Sequence, residues 1–394
     1  MKISPLPAFF IITFLLFLSS PLNAATINIM NLGARGDGKT DVRQQFLAAW
    51  AIACKSSEPT TIYVPPKRFF ISPIVFQGPC KKTSKITFQI EGILIAPQYK
   101  NMPSTSANWL LFYGVSGVSV VGGYLDGQGT SLWACKAAST NCPTGAVSLA
   151  FYNSKDISVK NLRSINAKLV HILVHSSQDA EIQGVRIDAP GDSPNTDGVH
   201  VQNSINVRVL NMIIKTGDDC ISIGPGTRNL WIQGVTCGPG HGISIGSLGK
   251  ELKEEGVQNV MVKNVAFYGT QNGLRIKTWA RPSNGFVKGM VFTQVLMKNV
   301  QNPIIIDQNY CPHNKGCPNQ NSGIQISGVT YKNIIGTSAT QIAMKFDCSP
   351  TNPCKSISLQ NIKLTTVYKY QTVKSSCNNV HGTIHGLVFP LSCL

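Results

Sequence analysis

The residues best suited to acid–base chemistry recur at a nearly constant interval along this chain. Asp197 is followed 21 residues later by Asp218, which adjoins Asp219, and His241 lies 22 residues beyond Asp219. This interval is close to the length of one coil of a parallel β-helix, in which successive coils stack about 4.8 Å apart. We therefore expect three carboxylates and one imidazole to lie side by side on one face.

Crowded carboxylates can divide the work of hydrolysis. Repulsion and partial desolvation raise the pKa of at least one of them, which then donates a proton, while the others stay ionised and activate water. Cleavage of a glycosidic bond needs both roles. The one-coil offset between Asp197 and the pair Asp218 and Asp219 leaves room for a water and favours inversion of configuration. Both members of the pair can face one cleft only if the backbone leaves strand geometry there, and Gly217 would permit this.

Further candidates follow the acidic residues. His241 lies between two glycines; alone it would be read as a turn residue, but one coil beyond the acidic pair its expected role is to tune or reprotonate a carboxylate. Arg275 and Lys277 are two positions apart and project to the same side of a strand. They could hold uronate carboxylates, and a solvated basic face is the alternative. Tyr310 could stack on a sugar or donate its hydroxyl.

The charge balance predicts an anionic partner. The 394 residues include 35 Lys and Arg but only 18 Asp and Glu, which gives a formal net charge of +17. Nucleic acid, acidic polysaccharide and anionic lipid would each fit such an excess, and a basic surface that serves only solubility is the alternative. The export signal described next argues against nucleic acid and favours an acidic polysaccharide.

The first 24 residues have the layout of a secretory signal peptide: Lys2, an apolar run over residues 9–18, and small residues at the expected cleavage site after Ala24. The apolar run is too short to favour a membrane anchor. We therefore predict a secreted, extracellular protein whose residues 25–394 form a single domain, because no low-complexity linker divides them.

Twelve cysteines in an exported chain predict disulfides. A zinc site is less favoured because the cysteines lack a paired Cys-x-x-Cys framework. The sequence alone does not fix the pairing, although short separations make five pairs attractive: Cys135 with Cys142, Cys220 with Cys237, Cys311 with Cys317, Cys348 with Cys354, and Cys377 with Cys393.

A repeated pattern predicts the fold. The motif apolar-x-apolar-x-(Asn, Gly or Gln)-apolar occurs eight times, beginning at Ile157, Ala180, Val207, Leu230, Val260, Met290, Ile324 and Ile357. Alternating apolar residues direct one face of each strand inward, and the polar or glycine position marks a bend. An all-β, right-handed parallel β-helix is the best interpretation, and a β-sandwich is second.

The start of the mature chain differs from the rest. Residues 27–30 resemble a short strand and residues 33–38 a turn. Thr40 or Asp41 is then expected to cap a helix whose apolar side includes Val42, Phe46 and Trp50. One helix at the open end of a β-helix would cover the core and the unpaired strand edges.

At these residues the chain resembles the polygalacturonases of glycoside hydrolase family 28, and the plant secreted members most closely. The segments that carry the likeness are Asn195-Thr196-Asp197, Gly217-Asp218-Asp219-Cys220, Cys237 through Gly242 with Gly246 to Gly249, and Arg275-Ile276-Lys277-Thr278-Trp279. Residues 36–41 and 307–311 add to it, so the similarity covers nearly all of the mature chain.

The resemblance implies hydrolysis of α-1,4-linked galacturonan in the cell wall, with inversion and without a metal or another cofactor, by a monomer that does not bind a membrane. By position it implies that Asp218 is the general acid, that Asp197 and Asp219 activate water, and that His241 supports them. It also implies that Asn195, Arg275, Lys277 and Tyr310 bind substrate. Two alternatives are a calcium-dependent pectate lyase and a non-catalytic pectin-binding wall protein. Attack within the polymer or from its end is left open.

Overall fold

A computed structural model describes residues 25–81, 85–103, 105–138, 141–368 and 372–394. The predicted signal peptide, residues 1–24, lies outside the described residues. No helix in these ranges is long and apolar enough to cross a membrane.

Strands dominate the described chain, with two α-helices and three short 3₁₀ helices between them. The helices are α1 (Arg43–Lys55), α2 (Thr130–Ala138), and the 3₁₀ turns Ile29–Leu32, Tyr99–Asn101 and Pro312–Asn314. The strands in chain order are β1 (Ala25–Asn28), β2 (Asp37–Asp41), β3 (Thr60–Val64), β4 (Arg68–Phe70), β5 (Ile74–Gln77), β6 (Ile86–Ile90), β7 (Ile93–Ile95), β8 (Asn108–Tyr113), β9 (Ser116–Val121), β10 (Tyr124–Asp126), β11 (Val147–Tyr152), β12 (Lys155–Lys160), β13 (Arg163–Ile165), β14 (Ile172–His175), β15 (Gln178–Gln183) and β16 (Arg186–Asp188). They continue as β17 (Val199–Gln202), β18 (Ile205–Leu210), β19 (Ile213–Lys215), β20 (Ile221–Ile223), β21 (Arg228–Cys237), β22 (Ile243–Leu248), β23 (Val257–Tyr268), β24 (Asn272–Trp279), β25 (Phe286–Val300), β26 (Asn302–Tyr310), β27 (Gln325–Ser338), β28 (Ile342–Asp347), β29 (Cys354–Thr366), β30 (Lys374–Asn378) and β31 (Val380–Phe389).

The strands stack into a right-handed parallel β-helix, which confirms the predicted fold. One sheet of eleven strands contains β17, β20, β22, β24 and β26 in consecutive positions. A second sheet of twenty strands covers the remaining sides of each coil, and its neighbouring strands also run parallel. The β-sandwich alternative is wrong, because sandwiches are built from antiparallel strands.

The repeated apolar motif occupies the interior as predicted, with one error of register. Val260 pairs with Met290, and Met290 pairs with Val329. On the coil after Met290 the motif therefore begins at Val329 rather than at Ile324. The error arose because β27 contains two left-handed residues, Gly328 (φ 62°) and Asn333 (φ 53°), and the motif fits either one.

The helix α1 closes the N-terminal end. Phe46 and Trp50 are buried, and the Trp50 ring packs against Phe76 and Phe88 with centroids 5.4 and 6.0 Å apart. The predicted cap is wrong: residues 37–41 form β2, and α1 begins at Arg43 after Val42. The Asp41 carboxylate accepts the Arg43 N–H at 3.1 Å from outside the helix. The helix α2 was not predicted from the sequence.

All twelve cysteines form disulfides, so none is available as a zinc ligand. The bonds are Cys54–Cys80, which the sequence did not single out, and the five pairs that short separations favoured. Cys220–Cys237 joins two neighbouring coils directly beside the acidic residues.

Tyr331 offers a test of how the interior is packed. Its side chain is fully buried between Phe292 and Phe346, and its hydroxyl has no hydrogen-bond partner among the described residues. Burying an unpaired hydroxyl costs about 1–3 kcal/mol. We expect Tyr331→Phe to raise the midpoint of thermal unfolding, whereas Tyr63→Phe, which removes a hydroxyl bound to exposed Glu91, should leave it nearly unchanged. A lower midpoint for Tyr331→Phe would show that the hydroxyl is satisfied.

Candidate active site

The acidic residues lie in the turns that lead into three successive strands of the eleven-stranded sheet. Asp197 precedes β17, Asp219 precedes β20 and His241 precedes β22. The peptide N–H of Gly198 donates to the Asp219 carbonyl, and the N–H of His241 donates to the Asp218 carbonyl. Because main-chain hydrogen bonds join consecutive turns, residues about 22 positions apart become neighbours.

The backbone leaves strand geometry at residues 216–220, as the adjacent carboxylates require. The Asp218 and Asp219 side chains both reach the cleft, and each carries an oxygen within 4.8 Å of a His241 ring nitrogen. Gly217 is required here for its small size rather than for an unusual backbone conformation. A Cβ there would lie 2.1 Å from the Ser193 carbonyl oxygen, while its φ is not in the left-handed region.

Asp219 is the fixed anion of the site. Its side chain is 1% exposed, and its Oδ1 accepts from Ser244 and Arg275, both at 2.7 Å. Its Oδ2 accepts from Lys277 Nζ at 2.8 Å. Burial alone would raise the pKa of Asp219, but the two cations and the Ser244 hydrogen bond outweigh burial and lower it to about 2.

Asp197 has the opposite character. Ser222 donates to its Oδ2 at 2.6 Å, but among the described residues no cation forms an ion pair with Asp197. Desolvation and the neighbouring charges of Asp218 and Asp219 raise the pKa of Asp197 to about 7, against the opposing effects of Ser222 and Lys277. Two carboxylates one coil apart therefore differ widely in acidity because only one of them is paired with cations.

Asp218 is partly exposed and has defined partners on both carboxylate oxygens. Its side chain is 21% exposed, and its Oδ1 lies 3.2 Å from His241 Nδ1 and accepts the Asp219 N–H at 2.8 Å. The amide of Asn195, whose backbone is left-handed at φ 59°, donates to Oδ2 at 3.4 Å. These contacts orient the carboxyl group towards the cleft.

The other predicted binding residues lie on the next two strands. Arg275 and Lys277 are on β24 and project to one side, as predicted, but both are nearly buried and bind Asp219 rather than forming a solvated basic face. Tyr310 ends β26, where its ring lies 5.3 Å from Lys277 Nζ and 5.5 Å from the Trp279 ring. Two cations therefore face one buried anion on this side of the carboxylates.

The sequence interpretation missed three residues, His200, Ser222 and Ser244. His200 Nδ1 lies 2.7 Å from Ser222 Oγ, so His200, Ser222 and Asp197 form a chain of hydrogen bonds. Ser222 pairs with Ser244, and Ser244 pairs with Arg275, along the sheet. The signal was present: Ile-Ser-Ile occurs at 221–223 and again at 243–245, which places a hydroxyl at an outward position on each of two adjacent coils.

The groove continues beside the carboxylates towards the N-terminal coils. A cavity of about 840 Å³ borders His200 and is lined by Tyr152, Lys168 and Leu173, with residues of the segments 99–103, 105–108 and 143–147 around it. A long substrate therefore has space on one side of the carboxylates and cationic and aromatic groups on the other.

Asp218, Asp219 and His241 could in principle supply three ligands to a metal ion. The donor set argues against that use, since both oxygens of Asp219 already bind cationic side chains and an added cation would lie beside Arg275 and Lys277. The arrangement suits proton transfer better.

The chain is similar to several known proteins. Residues 54–392 match the profile of Glycosyl hydrolases family 28. A polygalacturonase of Prunus persica is 57% identical over 96% of this chain and 95% of its own length, and an exopolygalacturonase of Platanus acerifolia is 40% identical over 93% and 97%. The solved structure of an endo-xylogalacturonan hydrolase from Aspergillus tubingensis superposes with a TM-score of 0.81 at 20% identity, over 92% of this chain and 100% of that one.

The raised pKa of Asp197 predicts a stability gain on its removal. An aspartate normally ionises near 3.8, so a folded pKa of about 7 means that folding is opposed increasingly as pH rises from 4 to 7. We expect Asp197→Asn to raise stability at pH 7 by on the order of 2 kcal/mol, after allowance for partial exposure, and to have no such effect at pH 3. Chemical denaturation at the two pH values measures this.

Asp219→Asn should behave in the opposite way. It leaves Arg275 and Lys277 buried without their anion and should lower stability by about 3–5 kcal/mol at pH 7. Because the pKa of Asp219 is depressed, that stabilisation exists above pH 4 and is lost as pH falls towards 2. Asp188→Asn, at an exposed ion pair, serves as the control. Equal losses for Asp197→Asn and Asp219→Asn would contradict the assignment.

Proposed function

The chain belongs to Glycosyl hydrolases family 28, and we propose that it is a polygalacturonase that hydrolyses the α-1,4 linkages of polygalacturonate in pectin with inversion. The observation that carries the proposal is the difference between the carboxylates: Asp219 is a fixed anion, the pKa of Asp197 is raised to about 7, and Asp218 is held towards the cleft by His241 and Asn195. Membership of a hydrolase family sets aside the lyase alternative, and the intact site speaks against a merely pectin-binding protein.

We assign the role of general acid to Asp218. It is the carboxyl group held towards the cleft by His241 and Asn195, where it can protonate the oxygen of the leaving sugar. Asp197 and Asp219 activate the water that attacks the anomeric carbon from the opposite face. His241 lies within hydrogen-bond reach of Asp218 and supports its reprotonation.

In this mechanism one proton serves the carboxyl groups of both Asp197 and Asp218. At mildly acidic pH Asp219 is ionised, and the charge of Asp218 contributes to the raised pKa of Asp197. A proton on Asp218 would remove that contribution and so favour ionisation of Asp197. The reactive form carries the proton on Asp218 and negative charge on Asp197 and Asp219.

Substrate contacts follow from the charges around this pair. Arg275 uses two of its five N–H donors on Ser244 and Asp219, which leaves others for a uronate carboxylate. With Lys277 it supplies positive charge that can offset the charge of an anionic polymer in the groove. Tyr310 presents its ring beside Lys277 as a surface for a sugar.

The remaining features of the protein are part of the same proposal. Residues 25–394 act as one catalytic domain, exported after loss of residues 1–24 and working as a monomer in the extracellular cell wall, without membrane or nucleic-acid partners. Support comes from the two sheets, which run through nearly the whole described chain, and from the layout of the N-terminal sequence.

Loss of the acid tests the assignment of roles. We expect Asp218→Asn to remain folded and to release reducing ends from polygalacturonate about 10²–10⁴ times more slowly than wild type, the range for removal of a general acid. Asp188→Asn should retain full activity. Undiminished activity of Asp218→Asn would refute the role of Asp218, and unsaturated products absorbing in the ultraviolet would refute hydrolysis itself.

The shared proton predicts the alkaline side of the pH–rate profile. Because the reactive form needs one proton on the pair Asp197 and Asp218, kcat/KM should fall as pH rises through about 7. Initial rates on polygalacturonate between pH 4 and 9, with circular dichroism to confirm folding, measure this. A rate that stays constant to pH 9 would show that the proton is not required.

A further inference from the structure

A second feature able to bind a polyanion lies outside the active-site groove. This feature belongs to the twenty-stranded sheet. It is the outward face formed by the first halves of five neighbouring strands, β21, β23, β25, β27 and β29. The side chains point outward in three columns, which the pairing register defines. None of the proposed catalytic or binding residues is on this face.

The two outer columns carry alternating cations. One column runs Arg228, Gln258, Lys288, Ser327, Lys355, and the other runs Gln233, Lys263, Thr293, Lys332, Gln360. Each rung therefore carries one cation, on alternate edges of the face. Successive rungs are about 4.8 Å apart, so the positive charges form a zigzag along the helix axis.

Most of these cations have no acidic partner. Arg228 pairs with Glu255 at 3.3 Å, but no ion pair involves Lys263, Lys288, Lys332 or Lys355 among the described residues. We call these four residues the lysine stripe. No acidic residue occupies any outward position of the three columns on the five rungs, so the positive potential is not cancelled locally.

The central column supplies an apolar shelf between the cations. It runs Trp231, Met261, Val291, Thr330, Ser358. Trp231 is 39% exposed, and its Nε1 donates to Gln233 Oε1 at 3.0 Å, which fixes the ring. A shallow groove of about 350 Å³ lies beside it, lined by Met261 and Val291. An exposed, oriented indole beside such a groove offers a stacking surface for a sugar ring.

We propose that this face is a non-catalytic binding site for a polyuronate chain, lying along the helix axis with a sugar on Trp231 and its carboxylates on the lysine stripe. The proposal rests on the proposed function for the identity of the polymer. A polyuronate has one carboxylate per sugar, which matches one cation per rung, and it has apolar sugar faces, which match the central column. Holding the polymer here keeps the enzyme on its insoluble substrate between cleavage events.

The test compares two variants with the same change of net charge. One replaces the lysine stripe by glutamine (Lys263→Gln, Lys288→Gln, Lys332→Gln, Lys355→Gln), and the control replaces four exposed lysines elsewhere (Lys55→Gln, Lys215→Gln, Lys298→Gln, Lys363→Gln). Both are made in the Asp218→Asn background, so that the polymer stays intact. We expect the Kd for immobilised polygalacturonate to rise about tenfold in the stripe variant, because four exposed pairs of modest strength are lost together, and to change little in the control.

A second variant separates stacking from charge. Trp231→Ala should weaken binding by about threefold to tenfold without altering net charge, whereas Tyr268→Ala, an exposed aromatic in another part of the sheet, should not. Equal binding by the stripe variant and its control would overturn the proposal. So would equal affinity of the wild-type face for DNA or a sulfated polysaccharide, which would reduce it to general ion exchange.

Activity on short substrates distinguishes the two proposals. With Asp218 intact, the stripe variant should cleave trigalacturonate at the wild-type rate and lose efficiency only on insoluble pectin. If the wild type cleaves trigalacturonate but the stripe variant binds polymer normally, the second site is refuted and the function stands. If the wild type cleaves neither substrate, the proposed function fails whatever the binding result.

Discussion

The site depends on one buried ion cluster, in which the Asp219 carboxylate binds Arg275 and Lys277. Asp219 comes from the turn before β20 and both cations come from β24, and they meet only because the coils stack in register. A buried carboxylate with two cations stays ionised down to a pH of about 2. Its fixed charge then acts on the neighbouring carboxylates and helps to set where the proton of the site resides.

Stacking also gives different chemistry to residues at nearly equivalent positions of neighbouring coils. Asp197 and Asp219 each accept a hydrogen bond from a serine on a following strand, Ser222 and Ser244. Only the second serine has an arginine beside it in the next strand. One step along the sheet thus separates a carboxylate with a pKa of about 7 from one with a pKa of about 2. Asp219 therefore stays ionised at a pH at which the neighbouring carboxyl groups still retain a proton, and the proposed mechanism places that proton on Asp218.

Much of the fold and of the site could be predicted from local patterns, because the number of residues per coil follows from the spacing of similar residues in the sequence. The interior positions, the bends at Asn161, Asn211 and Asn264, and the grouping of the acidic residues all follow from that interval. What failed depended on choices between similar local signals: the register at Val329, and the start of α1 at Arg43. Both errors concern a choice between two nearby bends or helix caps, and the packing around the segment decides that choice.

Side-chain partnerships were the least predictable part of the site. The spacing of Arg275 and Lys277 fixed the side of the strand to which they project, but not that both would bind Asp219, because the sequence separation of 56 and 58 residues hides the contact. His200 escaped notice because its role runs through Ser222 to Asp197. Such partnerships need the three-dimensional register of several coils.

The most direct test of the account is infrared difference spectroscopy of the aspartate carboxyl groups at pH 5.5 and pH 8.5, with isotope-labelled aspartate. The account predicts that one protonated carboxyl band disappears between these pH values in the wild type and is missing at both in Asp197→Asn. A spectrum in which no carboxyl group changes protonation in this range would contradict the shared proton on which the mechanism rests.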